Sequence, residues 1–135
     1  MAEKLKLEMV TPYKKVLSEE VDEITAPGTI GELGLLPGHT PLLTTLKIGE
    51  LTYTQAGQQY HVAVNWGYLE VGDDKVTILV DTAERADEID LERAKAALGR
   101  AEAALKTLSQ EDHDFAVMEA ALRRALIRIQ VAGHR

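Results

Sequence analysis

The residues best suited to chemistry are four arginines in the last third of the chain. Arg93 and Arg100 lie seven positions apart, and Arg124 and Arg128 four apart. On helices, each pair shares one face. If the two faces converge, four guanidiniums meet, and each is a planar fork that donates charge-assisted hydrogen bonds to phosphate oxygens. Four guanidiniums brought together in this way would suit a polyphosphate. The sequence contains no glycine-rich phosphate loop, so hydrolysis of that ligand is not expected. The plainer reading of an arginine-rich amphipathic helix is a solvated face or a surface for acidic partners. Asp90 and Arg93 have a plain reading too, as a helix N-cap and a solvated first-turn charge.

His39 is the other residue that invites a catalytic role. The chain has no cysteine to pair with it, and no Ser-His-Asp arrangement can be argued from the spacing. A packed or hydrogen-bonded structural histidine is the expectation, and no catalytic residue is assigned. His61, His113 and His134 are scattered without the i, i+4 spacing of a helical metal motif, so no metal site is expected either.

Two kinds of element must position these residues. Up to about Thr82 the apolar pattern has period two. Leu5, Leu7 and Met9 alternate with Lys6 and Glu8, and short strand-like runs follow at Val21–Thr25, Leu42–Ile48, Glu50–Gln55, Gln59–Val64, Tyr68–Val71 and Val76–Val80. Pro27-Gly28, Pro37-Gly38, Ala56-Gly57 and Gly72-Asp73-Asp74 are turn signals between them. Many short strands separated in this way predict an antiparallel sandwich or barrel. Thr29–His39 holds Gly31, Gly34, Pro37 and Gly38 and is read as a tight crossover loop.

After Ala83 the period changes. Leu91, Ala94, Leu98, Ala101, Leu105 and Leu108 step by three and four, as do Phe115, Met118, Leu122, Ala125 and Ile129. These are the seams of two helices. The polar link Ser109–Asp112 is short enough to force them antiparallel, with Asp112 as the second N-cap. The expected fold is therefore α+β: an antiparallel β-sandwich over residues 1–86, then an antiparallel two-helix hairpin over 87–135. At roughly 25 cal/mol per Å² of apolar burial against about 1.5 kcal/mol per ordered residue, two short helices come out near zero alone. The hairpin must lean on the sandwich, a ligand or a partner.

Composition removes several functional classes. The chain has 135 residues, 45% of them hydrophobic, enough for a packed core; with aromatics at 4%, that core must be aliphatic. A net charge of −7 argues against nucleic-acid binding and against a lone role on anionic lipid. The lack of cysteine fits a reducing compartment. No run reaches the ~20 apolar residues of a membrane span, and Met1–Val10 lacks the apolar block of a signal peptide. A soluble, cytoplasmic protein is expected, with any membrane contact made through partners.

Several segments carry a family resemblance. Gly31-Glu-Leu-Gly-Leu-Leu-Pro-Gly-His39 followed by Pro41-Leu-Leu, then Gly67-Tyr-Leu-Glu-Val71 and Val76-Thr-Ile-Leu-Val80, and finally Ala83-Glu-Arg-Ala with Ile89-Asp-Leu-Glu-Arg-Ala94, resemble the epsilon-subunit family of rotary F-type ATP synthases. The likeness runs from about residue 4 to residue 131, and departs at Asn65-Trp66, where members often carry small residues.

The resemblance implies a non-catalytic subunit of a proton-translocating synthase, sited on its central stalk at the cytoplasmic face of a bacterial plasma membrane. Its sandwich would touch the gamma subunit and the c-subunit ring, with Glu32, Leu33 and His39 as docking residues. Its hairpin would alternate between folded-down and extended states and inhibit ATP hydrolysis when extended into the alpha/beta head. The isolated subunit would be a monomer that needs no cofactor. Some bacterial members bind regulatory ATP when the hairpin is down, and the matching positions here are Glu84, Ile89, Asp90, Arg93, Arg100, Arg124 and Arg128. Two other readings remain open: a β-sandwich binding module with a coiled-coil oligomerisation tail, and a small-ligand enzyme using His39 and carboxylates.

Overall fold

The computed structural model describes residues 3–134. Eight strands come first: β1 (Leu5–Val10), β2 (Lys15–Val21), β3 (Glu23–Pro27), β4 (Glu32–Leu35), β5 (Leu42–Leu46), β6 (Gly49–Gln55), β7 (Gln58–Gly72) and β8 (Lys75–Arg85). A short 3-10 turn at Ala86–Glu88 leads to helices α1 (Leu91–Thr107) and α2 (His113–Ala132).

The sandwich is one sheet folded over itself. Its hydrogen-bonded order is β2-β1-β8-β7-β6-β3-β4, with β5 added along β7. The second half of β7 pairs with β5 from Leu46↔Gly67 to Leu42↔Val71, and its first half pairs with β6 from Gly49↔Val64 to Gln55↔Gln58. β8 follows β7 antiparallel along its whole length and pairs parallel with β1. The layers therefore share β7 and β8, and the fold turns its corner where β7 changes partner.

That corner can be located to the residue. Val62 and Val64 face the core before it, and Leu69 and Val71 after it, so the inward parity switches between them. Trp66 sits there at φ 22, half-exposed at the surface. Gly67 follows because nothing larger fits: a Cβ there would lie 1.9 Å from the Leu79 carbonyl oxygen and 2.7 Å from Val80 Cα. The alternating runs Gln59–Val64 and Tyr68–Val71, expected as two strands, are thus one strand bent at Asn65–Gly67.

Two further expectations are corrected. Lys15–Val21 is a strand of its own, paired with β1, and Val21 ends it instead of beginning the next one. Within Thr29–His39, read as a loop, Glu32–Leu35 is an edge strand on β3, with Leu35 fully buried. The core is aliphatic as expected except for Tyr53, is drawn from all eight strands, and among the described residues contains no helical one.

The helices begin on the expected caps. Asp90 Oδ1 accepts from Arg93 N at 3.1 Å, and Asp112 Oδ1 accepts from Asp114 N at 2.9 Å, each satisfying a first-turn donor. The seam closes on alanine: Ala94, Ala101 and Ala125 are buried, while Leu98, Leu105, Met118 and Leu122 are half-buried around them. α1 packs on α2, and α2 supplies the contact with β6, β7 and β8. The hairpin rests on the sandwich through a separate small apolar cluster of Ala63, Ile89, Val131 and Ala132, bordered by Ala86, Leu91 and Ile127.

Candidate functional site

A cleft of about 350 Å³ lies between the end of β8, the 3-10 turn and both helices. Glu84 reaches it from β8, Glu88 and Ile89 from the junction, Asp90 from the α1 cap, Arg93 and Arg100 from the exposed side of α1, and Arg128 from α2. The seven-residue spacing puts Arg93 and Arg100 on one face, as expected, with Ala94 and Ala97 between them as a floor with little side chain.

The carboxylates of the cleft already have partners. Arg128 Nε donates to Glu84 Oε1 at 2.5 Å, an ion pair about one-third exposed on each side. Glu88 Oε1 accepts from Arg85 N at 3.1 Å, and Asp90 caps α1. Among the described residues, neither the Arg93 nor the Arg100 guanidinium has an ion-pair partner. Three carboxylates share the cleft with three arginines, so the two guanidiniums without ion-pair partners are the groups with donors to offer an anion. The volume lies within the range of small-ligand clefts.

Arg124 differs from the rest of the expected set. It lines a neighbouring cavity of about 10 Å³ together with Arg128, Glu84, Thr82 and Asn65. Asn65 is 7% exposed, and its Oδ1 has no partner among the described residues. The four-residue spacing does put Arg124 and Arg128 on one side of α2, but only Arg128 reaches the large cleft. Glu88 and Ala97 were missed by sequence reasoning. The i+4 step from Arg93 could have found Ala97, whereas Glu88 becomes visible only once the 3-10 turn is known.

The second expected surface lies at the sheet edge. Glu32 is exposed at the start of β4, Leu33 is half-buried against Gly28, and the His39 ring nitrogen Nδ1 meets the Thr40 carbonyl at 2.7 Å. Gly38 N donates to Asp74 Oδ1 at 2.6 Å, tying this segment to the β7–β8 turn. Large apolar side chains flank it, with Ile30 fully exposed and Leu36 largely so. Period-two counting placed both in a loop and so did not single them out.

The histidines are not all scattered in space. His61 and His134 stack with ring centroids 3.6 Å apart beside Glu50, although no sequence spacing joins them.

A β-sandwich bearing a helical hairpin, with an arginine- and carboxylate-lined cleft between the two, defines a two-part architecture. The chain belongs to the epsilon-chain family of F-type ATP synthases. The family profile described as the ATP synthase Delta/Epsilon chain beta-sandwich domain matches residues 4–86, and that of its long alpha-helix domain matches residues 87–133. Over 133 residues the chain is 77% identical to the ATP synthase epsilon chain of Geobacter sulfurreducens and 75% identical to that of Geobacter metallireducens, covering 98% of this chain and 96% of each relative. It is also similar to a chain solved in the Euglena gracilis mitochondrial ATP synthase OSCP/F1/c-ring assembly, with a TM-score of 0.81 and 28% identity over 97% of this chain and 82% of that one. A chain from the central stalk/c-ring structure of the Tetrahymena thermophila mitochondrial enzyme shares the fold, with a TM-score of 0.56 at 16% identity over 98% of this chain and 96% of that one.

Proposed function

We propose that this chain is a non-catalytic central-stalk subunit of a bacterial F-type ATP synthase whose hairpin regulates ATP hydrolysis and takes ATP as the ligand of its docked state. The observation that carries the regulatory reading is the origin of the cleft residues. Glu84 belongs to the sandwich, Arg93 and Arg100 to α1, and Arg128 to α2. Extending the hairpin would take this cleft apart, so a ligand that needs all of them binds the docked state and favours it by its differential affinity. At a concentration of about 100 times its dissociation constant, such a ligand adds about 2.7 kcal/mol to docking. Released, the same arginines would be available to acidic surfaces of the alpha/beta head.

The sandwich would dock on gamma and on the c ring through the β4 edge, where Glu32 is exposed beside Ile30 and Leu36. Among the described residues no helix is long and apolar enough to cross a membrane, which suits attachment to the membrane sector through these partners. Rotation coupled to proton flow would pass through that contact. The helical seams close on each other within one chain, which favours this reading over a self-associating coiled-coil tail.

The test is a calorimetric titration of the full chain with ATP, paired with amide spectra of the hairpin. Saturable heat with shifts clustered at 84–100 and 124–128 is expected. Neither heat nor shifts at millimolar ATP would remove nucleotide from the mechanism while leaving the stalk assignment to be judged by co-purification with gamma.

A further inference from the structure

On the other side of α2 from the arginine cleft, the docked hairpin brings together three side chains that the nucleotide reading does not use. In the β6–β7 ladder Glu50 lies opposite Ala63, and Thr52 opposite His61. Strand alternation puts all four on one face, opposite the core-facing Leu51, Val62 and Val64. Ala63 on that face is the seat of Val131 and Ala132. The chain leaves α2 at the C-cap Gly133, and the next residue, His134, falls directly over His61. Glu50 Oε2 is 3.2 Å from His61 Nδ1, and Glu50 Oε1 is 3.5 Å from His134 Nε2. The donor atoms of the three residues all lie within 4.8 Å of one another.

We propose that Glu50, His61 and His134 form a binding site for a divalent transition-metal ion of the zinc class, and that the ion latches the end of the hairpin to the sandwich. Two imidazoles and one carboxylate are the donor set of a tetrahedral zinc site that keeps one open position. Donors at tetrahedral zinc, with bonds of about 2.0–2.1 Å, stand about 3.3–3.5 Å apart. The 3.2 Å between Glu50 Oε2 and His61 Nδ1 is near one edge of that tetrahedron before any ion enters, whereas the 3.5 Å contact of His134 Nε2 is with the other carboxylate oxygen, Oε1. Imidazole nitrogen selects zinc-like ions over magnesium and calcium, which take oxygen. Gln130 Nε2 donates to Glu50 Oε1 at 3.3 Å, an outer contact that orients the carboxylate.

One adjustment is required. The rings are parallel to within 7°, so their in-plane lone pairs run side by side instead of converging. His61 and Glu50 are held by the sandwich, with side chains 11% and 16% exposed, whereas His134 is 42% exposed and lies beyond the helix. His134 is the ring that swings. Because two ligands belong to the sandwich and one to the end of the hairpin, undocking removes a ligand. The ion thus stabilises the docked state by the same linkage as any ligand confined to it. None of its ligands lines the arginine cleft, so the site stands whether or not nucleotide binds.

The test titrates the full-length chain, stripped of metal with EDTA and free of nucleotide, with zinc chloride. It is followed by heat and by hydrogen exchange of the α2 amides, with magnesium chloride as control. One zinc ion per chain, slower exchange over residues 125–132, and no response to magnesium are expected. His134→Ala lies past the helix end and leaves the fold intact. It should weaken zinc binding by more than the roughly 10–100-fold that loss of an outer contact costs, and should abolish the slowing of exchange. Glu50→Gln should do the same, whereas His113→Ala, away from the cluster, should bind as the parent does. The site is overturned if His134→Ala binds zinc as tightly as the parent, or if the parent gives no heat at high-micromolar zinc and the three side chains are an ion pair alone. The latch is overturned if zinc binds with one-to-one stoichiometry but leaves α2 exchange unchanged.

Discussion

Arg128 carries two tasks in one side chain. It pairs with Glu84 across the boundary between hairpin and sandwich, and it completes the cation set of the cleft. Hydrogen bonds between charged partners contribute about 1.5–3 kcal/mol when sheltered, and this pair is about two-thirds covered. Arg128→Ala should therefore loosen hairpin docking by about 1–2 kcal/mol, after a discount for solvent screening, and should weaken ATP binding as well. Arg123, paired with Glu119 at 3.3 Å on the exposed side of α2, is the matched control: Arg123→Ala should cost no more than about 0.5 kcal/mol. Hydrogen exchange of α2 in the two variants reads the difference.

Asp22 makes a prediction in pH. The hydrogen bond from Lys4 holds its carboxyl below the ordinary value of 3.8, against a smaller opposing effect of desolvation. A carboxyl with a depressed folded value contributes stability that is present above its unfolded value and is lost as pH falls through the folded one. Asp22→Asn should remove that part of the acid dependence below about pH 4: the parent should be slightly the more stable at neutral pH, by an amount kept small by the exposure of the pair, and the two chains should converge as pH falls. Denaturant midpoints for both chains between pH 2 and 7 check it.

At the scale of elements, the bend in β7 is the feature with the sharpest requirement. Gly67→Ala would place a methyl group within 1.9 Å of the Leu79 carbonyl, and neither backbone can retreat without breaking the β7–β8 ladder. A destabilisation at or above the upper end of the usual 1–3 kcal/mol for overpacking is expected, measured as a fall in the denaturant midpoint. Gly99→Ala should be neutral or stabilising, since a Cβ there meets open space and the residue is helical.

The same element shows where reading the sequence stops. Period two was visible on both sides of Asn65–Gly67, but a parity switch inside a strand and a loop between two strands leave the same trace. The edge strand Glu32–Leu35 was hidden in a similar way, because Gly31, Gly34, Pro37 and Gly38 outweigh four residues of weak alternation. The helices were legible down to their caps, since Asp90 and Asp112 are local signals. In the cleft, Arg93 and Arg100 were legible from spacing on one helix. That Arg128 joins them while Arg124 turns to Asn65 depends on the rotation of α2 against the sandwich. Glu50, His61 and His134 come from two strands and a chain end, so no local pattern could unite them.

At the scale of the whole molecule, the described residues form two apolar clusters that share no residue. The large one is built from strands alone, and the small one carries the hairpin. The sandwich can therefore keep its core when the hairpin leaves, while the hairpin loses its seat. Val131 is the centre of that seat and fully buried, a side chain whose burial is worth about 1.5–3 kcal/mol. Val131→Asp would replace this gain with a carboxylate sealed against Ala63 and Ile89, a cost that exceeds what the small cluster supplies. Docking should fail, and exchange of the α1 and α2 amides should approach that of an isolated hairpin. Amides of Leu7, Leu51 and Ile78 in the sandwich should keep their protection. Saturating ATP should restore less protection to this variant than to the parent, because a ligand can recover only as much docking as its differential affinity provides. Parallel loss of protection in both parts would mean that the two clusters unfold as one unit, and the hairpin could not act as an independent switch.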